Sequence, residues 1–334
     1  MRLVNSFILS LVVFVMACHA DEKNSDTTSE NTNQVVKNYP IPKFDRDSAF
    51  AFVAAQVAFG PRVPNTPAHQ QGKIWIVNQL QAFGAEVIEQ NFEAKAYTGT
   101  MLKGTNIIGQ YNPQSSKRII LAAHWDTRHV SDHDPDPSKH TQPVLGADDG
   151  ASGVGILLEI ARQLNQNPTD LGIDIIFFDL EDYGDGGDNG DYTSWCLGSQ
   201  YWAKNLHRTG YKADYGILLD MVGASGARFT KEQLSMQFAP QVMNKVWQLA
   251  QSMGYGNFFV NESTRELIDD HLFVNQIAKI PMIDIINRPI DTETLFVRHW
   301  HTTEDTLDKI DPRTLRAVGQ VLLAVIYREA SGTI

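Results

Sequence analysis

Short, nearly continuous apolar runs are separated along this chain by longer segments of mixed polarity. Runs such as IILAA, IDIIFF and GILL are typical of strands that are buried on both faces of a sheet. Together with the flanking residues, they predict six strands, at 86–94, 106–111, 118–123, 173–179, 215–219 and 281–286.

The segments around these strands have the apolar spacing of helices. They predict helices at 44–59, 66–83, 154–164, 199–206, 241–253 and 312–329. The first two are each followed by glycine, which is a common helix stop. Alternating strands and helices predict an α/β fold with a mixed, mostly parallel central sheet flanked by helices. Because no repeat or second boundary is visible, we expect a single catalytic domain over 40–334.

The first residues predict a targeting segment. A basic Arg2 precedes the apolar run FILSLVVFVM, which is too short to span a bilayer and has the length of a signal peptide. The run ends in VMAC at 15–18, which resembles a bacterial lipoprotein cleavage box and implies a signal peptide at 1–17 with lipid attached to Cys18. An ordinary signal peptide cleaved after Ala20 is the alternative.

The polar, aperiodic residues 18–39 predict a flexible tether. We therefore expect an exported protein that is anchored by lipid at Cys18 to a bacterial membrane and faces the periplasm or the cell exterior. If Cys18 carries lipid, Cys196 has no partner for an intramolecular disulfide.

Composition narrows the class of protein. The 334 residues are 43% apolar and 20% charged, so the chain can bury an ordinary globular core. Acidic residues outnumber basic ones by 39 to 28, and a basic footprint for nucleic acid is missing. We expect a monomer that does not bind nucleic acid.

Histidine and acidic residues follow several predicted strands. HWD comes directly after IILAA, DLED follows IDIIFF, and Asp220 follows GILL, while GADDGASG and RHWHTTEDTLD supply further acids and His301 from loops. In open α/β sheets, the site lies beyond the carboxyl ends of the strands. Carboxylate and imidazole are zinc ligands, and a catalytic zinc has three of them plus an open position. Adjacent acids at a strand end point to opposite sides, so one of Glu181 and Asp182 can hold a metal while the other acts as a base.

The ordered motifs HWD, GADDGASG, FFDLED, LLDMVG and WHTTEDTL resemble the zinc aminopeptidase clan, whose members have one α/β domain. Within that clan, the chain resembles the glutaminyl-peptide cyclotransferases, which close an N-terminal glutamine into pyroglutamate and release ammonia. This finer resemblance depends on ILLDMVGA, on the triplet DDH at 269–271 and on Trp300 before His301. The resemblance covers about 40–334.

The resemblance to the cyclotransferases implies a role for each matching residue. It implies one Zn²⁺ held by Asp149, Asp182 and His301, and Glu181 as general base and acid. It makes Asp220 and Asp269 catalytic carboxylates that hydrogen-bond with one another and with the base, and Trp195 and Trp300 walls of the glutamine pocket. Position 182 is Asp where the animal cyclases have Glu, and Asp284 stands where they have histidine, so the role of Asp284 stays open.

Two alternatives remain at this point. In a two-zinc aminopeptidase of the same clan, His124 and Asp220 would join Asp149 around a second metal, and a bridging water would be the nucleophile. A catalytically inactive relative that only binds ligands is the other alternative, although such proteins typically lose ligands or the base, which are all present here. The cyclase interpretation, with N-terminal glutamine peptides as substrates, agrees best with the motifs.

Overall fold

The computed structural model describes residues 37–187 and 190–334. The predicted signal peptide, Cys18 and most of the predicted tether lie outside the described residues. The described part contains eight strands: β1 (Glu86–Lys95), β2 (Met101–Tyr111), β3 (Arg118–His124), β4 (Gly172–Phe178), β5 (Tyr215–Asp220), β6 (Phe229–Glu232), β7 (Phe259–Thr264) and β8 (Met282–Ile286).

Eight α-helices accompany the strands in the described residues: α1 (Arg46–Val57), α2 (Pro67–Ala82), α3 (Ala151–Gln166), α4 (Leu197–Lys204), α5 (Gln233–Phe238), α6 (Pro240–Ser252), α7 (Asp270–Phe273) and α8 (Pro312–Ser331). Several begin where the sequence supplies a capping side chain. The carboxylate of Asp45 accepts from the backbone N–H groups of Asp47 and Ser48, and Asp311 caps α8 in the same way. Within the described residues, the structure contains no helix that is both long and apolar enough to cross a membrane.

Six strands form the central sheet in the order β1-β2-β4-β3-β5-β8. The pairs β1–β2 and β2–β4 are antiparallel, whereas β3 pairs in parallel with β4 and β5, and β5 with β8. The predicted α/β fold with a mixed, mostly parallel sheet is therefore confirmed. Strands β6 and β7 form a separate parallel pair that the sequence pattern did not predict.

The sheet is covered on both faces, and β3 shows how. All seven of its residues are buried. Ile119, Leu121 and Ala123 belong to the large apolar cluster with α1, α3 and α8, whereas Ile120 and Ala122 belong to a second cluster that includes Trp202 of α4. Because side chains alternate along a strand, one continuous apolar run supplies both cores. The carboxyl ends of β3, β4, β5 and β8 then lie together at one edge.

Candidate active site

A cavity of about 480 Å³ lies at this edge of the sheet. It is lined by eight of the residues that the sequence predicts for the site: Asp149, Glu181, Asp182, Trp195, Asp220, Asp269, Trp300 and His301. A larger groove of about 680 Å³, lined by residues of α2, β1 and β2, contains none of them. The chemistry of the lining residues therefore identifies the smaller cavity as the candidate active site.

The three predicted zinc ligands form one buried triad. Ligand atoms of Asp149, Asp182 and His301 lie within 4.8 Å of one another. The His301 Nε2 atom is 3.1 Å from Asp182 Oδ1 and 3.7 Å from Asp149 Oδ2. Among the described residues, neither carboxylate oxygen of Asp182 has a hydrogen-bond partner, although both are buried. Two carboxylates and an imidazole that converge without satisfying each other fit a tetrahedral zinc with one open position.

Burial and neighbouring charges both shift the pKa values of the residues in this triad. Burial raises the pKa of Asp182, and the nearby Asp149 adds to the effect. Burial alone would lower the pKa of His301, but the charge of Asp182 raises it overall. Protons and a metal ion would therefore compete for Asp182 and His301.

Backbone hydrogen bonds position the carboxylates. The carboxylate of Asp126 accepts from the N–H groups of Glu181 and Asp182, at 3.1 and 3.2 Å. Just before them, Leu180 has φ = 56°, a left-handed conformation that turns the chain after β4 and costs on the order of 1 kcal/mol. The fold therefore directs two adjacent acids of this turn into one cavity.

Asp305 positions the loop that carries Asp148 and Asp149 in the same way. Its two carboxylate oxygens accept from the N–H groups of Asp148 and Asp149, at 2.8 and 3.0 Å. Asp132 lies 3.5 Å from the Nδ1 atom of His301 and faces the side of the ring opposite the triad contact. Outer carboxylates of this kind orient metal ligands in proteins.

A second buried triad shares Asp149 with the first. Ligand atoms of His124, Asp149 and Asp220 also lie within 4.8 Å of one another. His124 Nε2 is 3.0 Å from Asp149 Oδ1 and 3.3 Å from Asp220 Oδ1. Burial opposes a charge on His124, but the surrounding carboxylates, Asp126 first, raise its pKa well above the ordinary value. The residues that the aminopeptidase alternative requires are thus also together.

Glu181 faces the cavity with its side chain 13% exposed. Burial raises its pKa well above the usual range, and the charges of Asp182 and Asp269 raise it further. The Cys196 thiol donates to Glu181 Oε1 at 3.4 Å, and burial raises the pKa of that thiol, so it stays protonated. A carboxyl group with a raised pKa can both take up and return a proton near neutral pH.

The two predicted catalytic carboxylates have different neighbours. Asp220 accepts from His124, and burial raises its pKa to about 8, with a contribution from the charge of Asp269. Asp269 belongs to two groups of neighbouring side chains, one with Glu181 and Cys196 and one with His271 and Asp284. Asp284 is fully buried, and burial and the charge of Asp269 raise its pKa well above the usual range. Asp284 is thus a neighbour of Asp269 rather than part of the cavity wall.

Aromatic rings enclose the candidate metal ligand His301. The Trp300 ring stacks on the imidazole with centroids 3.9 Å apart, and the Trp195 ring lies nearly parallel to it at 5.9 Å. The guanidinium of Arg128 lies over Trp195 at 4.6 Å. Both tryptophans line the cavity, as the sequence predicts.

Sequence reasoning did not assign roles to Asp126, Asp305 or the Cys196 thiol. Asp126 and Asp305 act through backbone N–H groups of distant residues, which leave no spacing signal. Only their positions in the sequence indicated that these two acids lie near the site: Asp126 ends the HWD motif, and Asp305 follows His301 by four residues. Acids within a motif that are not themselves ligands are reasonable candidates for such outer contacts.

Asp305→Ala is expected to weaken zinc binding by about 10- to 100-fold, because the backbone N–H groups of Asp148 and Asp149 lose the carboxylate oxygens that accept from them. Competition with a chromogenic zinc chelator measures this change. The matched control is Asp308→Ala, whose side chain is 71% exposed and should leave zinc affinity unchanged. Equal affinities in the two variants would contradict the assigned role of Asp305.

Comparisons with known proteins show which proteins the chain is similar to. The crystal structure of a Zn-dependent exopeptidase from Parabacteroides distasonis is 53% identical, with a TM-score of 0.84, over 86% of this chain and 99% of that one. The glutaminyl cyclase of Bacteroides thetaiotaomicron is 52% identical, with the same TM-score and coverages. The aminopeptidase YwaD of Bacillus subtilis is 28% identical over 279 residues, which are 79% of this chain and 54% of YwaD.

The chain therefore spans about half the length of YwaD but nearly all of the two solved structures. The names of these relatives include both a cyclase and peptidases. Residues 106–326 match peptidase family M28. The resemblance predicted from the five motifs is confirmed, and the chain belongs to peptidase family M28.

Proposed function

We propose that this protein is a zinc-dependent glutaminyl-peptide cyclotransferase, which converts the N-terminal glutamine of peptides and proteins to pyroglutamate and releases ammonia. The observation that carries the proposal is the cavity wall, where Trp300 stacks on His301 at 3.9 Å and Trp195 lies parallel to the same ring. Both indoles line the cavity beside one metal triad, so they can wall the space that a glutamine side chain would enter. The 52% identity to a glutaminyl cyclase supports the same conclusion.

Asp149, Asp182 and His301 would hold zinc, which when bound supplies Lewis-acid polarisation of the side-chain amide carbonyl. Glu181 accepts a proton from the substrate's α-amino group as that nitrogen forms a bond to the amide carbon. The protonated Glu181 then gives the proton to the departing amide nitrogen, which leaves as ammonia. The raised pKa of Glu181 suits both transfers.

Positioning supplies a large part of the expected acceleration. The amine and the amide belong to the same residue, so holding them in contact makes the attack intramolecular. Trp195 and Trp300 would hold the side chain, and no water nucleophile is needed. We further propose that Asp220 and Asp269 keep the pKa of Glu181 high, since both carboxylates border the same cavity.

The second candidate function is that of a two-zinc aminopeptidase. The observation in its favour is the buried triad of His124, Asp149 and Asp220, which shares Asp149 with the first. In that enzyme these residues would hold a second zinc ion, which when bound would supply an activated water for hydrolysis of the first peptide bond. We propose that one zinc ion binds and that His124 instead holds Asp149 and Asp220 in place through its Nε2 atom.

His124→Ala separates the two functions by metal content. In a cyclase, the variant should keep about one zinc per chain and lose no more than about tenfold in kcat/KM, since a positioning contact is typically worth 1–2 kcal/mol. In a two-zinc aminopeptidase, the same change should reduce the metal content from two ions to one. Atomic absorption on the purified variant and on the unmodified protein decides between them.

The proposed location is a bacterial membrane, to which lipid on Cys18 would anchor an exported monomer facing the periplasm or the exterior. The support is the VMAC sequence at 15–18 and the polar residues that follow it. The full-length chain should incorporate labelled fatty acid, and Cys18→Ser should not.

A further inference from the structure

Arg288 follows β8 and is a buried cation with unused hydrogen-bond donors. Its residue is 1% exposed, and its Nε and Nη1 atoms have no hydrogen-bond partner in the described residues. Burying a charged group without hydrogen bonds is costly, so such donors are normally satisfied by something. Arg288 also lines the cavity that contains Glu181 and the zinc triad. A ligand in that cavity can therefore reach the part of Arg288 that lines it, whereas the Nε and Nη1 atoms are themselves buried.

Stacking contacts place Arg288 relative to the candidate zinc site. Its guanidinium lies 4.5 Å above the ring of Phe296, which stacks on Trp300 at 4.1 Å, which in turn stacks on His301 at 3.9 Å. Two aromatic rings thus separate the guanidinium from His301. At about 3.3 Å per extended residue, roughly four residues of backbone span the longest path that these contacts allow, and an acidic side chain at the second or third position shortens the backbone needed.

The stacking also fixes how Arg288 can bind. The Arg288 guanidinium lies over the ring of Phe296, and the N–H groups of a guanidinium form a fork that matches a carboxylate. Arg265 is exposed and lines the same cavity, so a second guanidinium is available at its mouth. Carboxylates line much of the cavity, so a preference for a negatively charged group would be confined to the part of the wall that carries the two guanidinium groups.

The acids near Arg288 do not use these donors. The nearby Glu232 accepts from the backbone N–H groups of Leu234, Ser235 and Leu267, so its oxygens are engaged as the cap of α5. Asp284 is buried, and in the described residues it has no carboxylate oxygen within 4.0 Å of an arginine nitrogen. The simplest competing role for Arg288 is to balance the charge of Asp284 from a distance. That role predicts that kcat/KM does not depend on whether the substrate carries a negative charge.

We propose that Arg288, with Arg265 at the mouth of the cavity, forms a subsite for a carboxylate on the residues that follow the N-terminal glutamine. The carboxylate is either an acidic side chain at the second or third position or the free C-terminus of a short peptide. The subsite rests on the proposed function, because it assumes that the glutamine side chain binds in the cavity beside the two tryptophans and the zinc triad.

Matched peptides test the subsite in the zinc-loaded full chain. The comparison uses Gln-Glu-Ala-amide against Gln-Gln-Ala-amide for the side chain, and Gln-Ala-Ala with a free C-terminus against its amide for the terminal carboxylate. We expect about a tenfold higher kcat/KM for the charged member of at least one pair, and about tenfold tighter binding of its pyroglutamyl product by calorimetry, as for one charge-assisted hydrogen-bond pair.

Arg288→Gln should reduce this ratio to about one, and Arg288→Lys should retain part of it because it keeps the charge without the fork. If Arg288→Gln does not fold, the exposed Arg265→Gln should still reduce the ratio. The control is Arg298→Gln, a surface arginine whose side chain is 77% exposed, which should leave the ratio unchanged.

A ratio near one for both pairs in the unmodified protein would overturn the subsite, as would a ratio that survives Arg288→Gln or, if that variant does not fold, Arg265→Gln. Failure of the proposed function is a separate outcome. In that case no peptide releases ammonia, while the binding measurements with pyroglutamyl peptides still report whether a carboxylate is preferred.

Discussion

Glu181→Gln is expected to lower kcat for an N-terminal glutamine peptide by about 10²- to 10⁴-fold, because the change removes the group that carries the proton from the amine to the leaving ammonia. Zinc content should stay at the level of the unmodified protein, since Glu181 lies outside the Asp149, Asp182 and His301 triad. Steady-state ammonia release and atomic absorption on the same preparation give both values.

The matched control for this variant is Glu266→Gln. Glu266 is exposed and lines the same cavity, so the substitution removes the same charge without touching the proposed proton relay. Its kcat should stay within about threefold of the unmodified value. Loss of zinc in Glu181→Gln, or equal activity losses in the two variants, would contradict the role of Glu181 as base and acid.

Asp182→Asn is expected to lower zinc affinity by more than about 100-fold and to abolish turnover at ordinary zinc concentrations. The reason is that an uncharged amide replaces one of three ligands. Both carboxylate oxygens of Asp182 are buried and have no hydrogen-bond partner in the described part of the chain. Zinc titration against a chelator, followed by the ammonia assay with and without added zinc, measures both effects.

Asp182→Glu is the informative partner of that variant. It keeps the carboxylate but adds a methylene group at a position that is 1% exposed, so the ligand must fit by repacking. We expect it to bind zinc more tightly than Asp182→Asn and to recover activity when zinc is added. Full zinc affinity in Asp182→Asn would remove this residue from the ligand set.

The sequence predicts the sheet well because its strands are buried on both faces. Continuous runs such as IILAA and IDIIFF are sufficient to identify β3 and β4, and the acids after them identify the edge of the sheet that carries the site. The short strands β6 and β7 were not predicted, since a segment such as FTKE is too short and too polar to show a pattern.

The outer contacts of the site were not predictable from spacing. Asp305 reaches Asp149 across 156 residues of chain, and it does so through a backbone N–H group that every residue except proline has. The unpaired donors of Arg288 could not be predicted from spacing either. They become visible only when the residues that surround Arg288 in the fold, such as Phe296, are known. The motifs therefore predict the ligands, whereas the fold is needed to find what orients them.

Product analysis on a peptide that begins with glutamine tests the cyclase assignment most directly. The zinc-loaded protein should release one ammonia per peptide and leave a pyroglutamyl peptide that has lost no residue, with about one zinc per chain. Release of free glutamine, a peptide shortened by one residue and about two metal ions per chain would contradict the cyclase assignment and make His124 and Asp220 metal ligands.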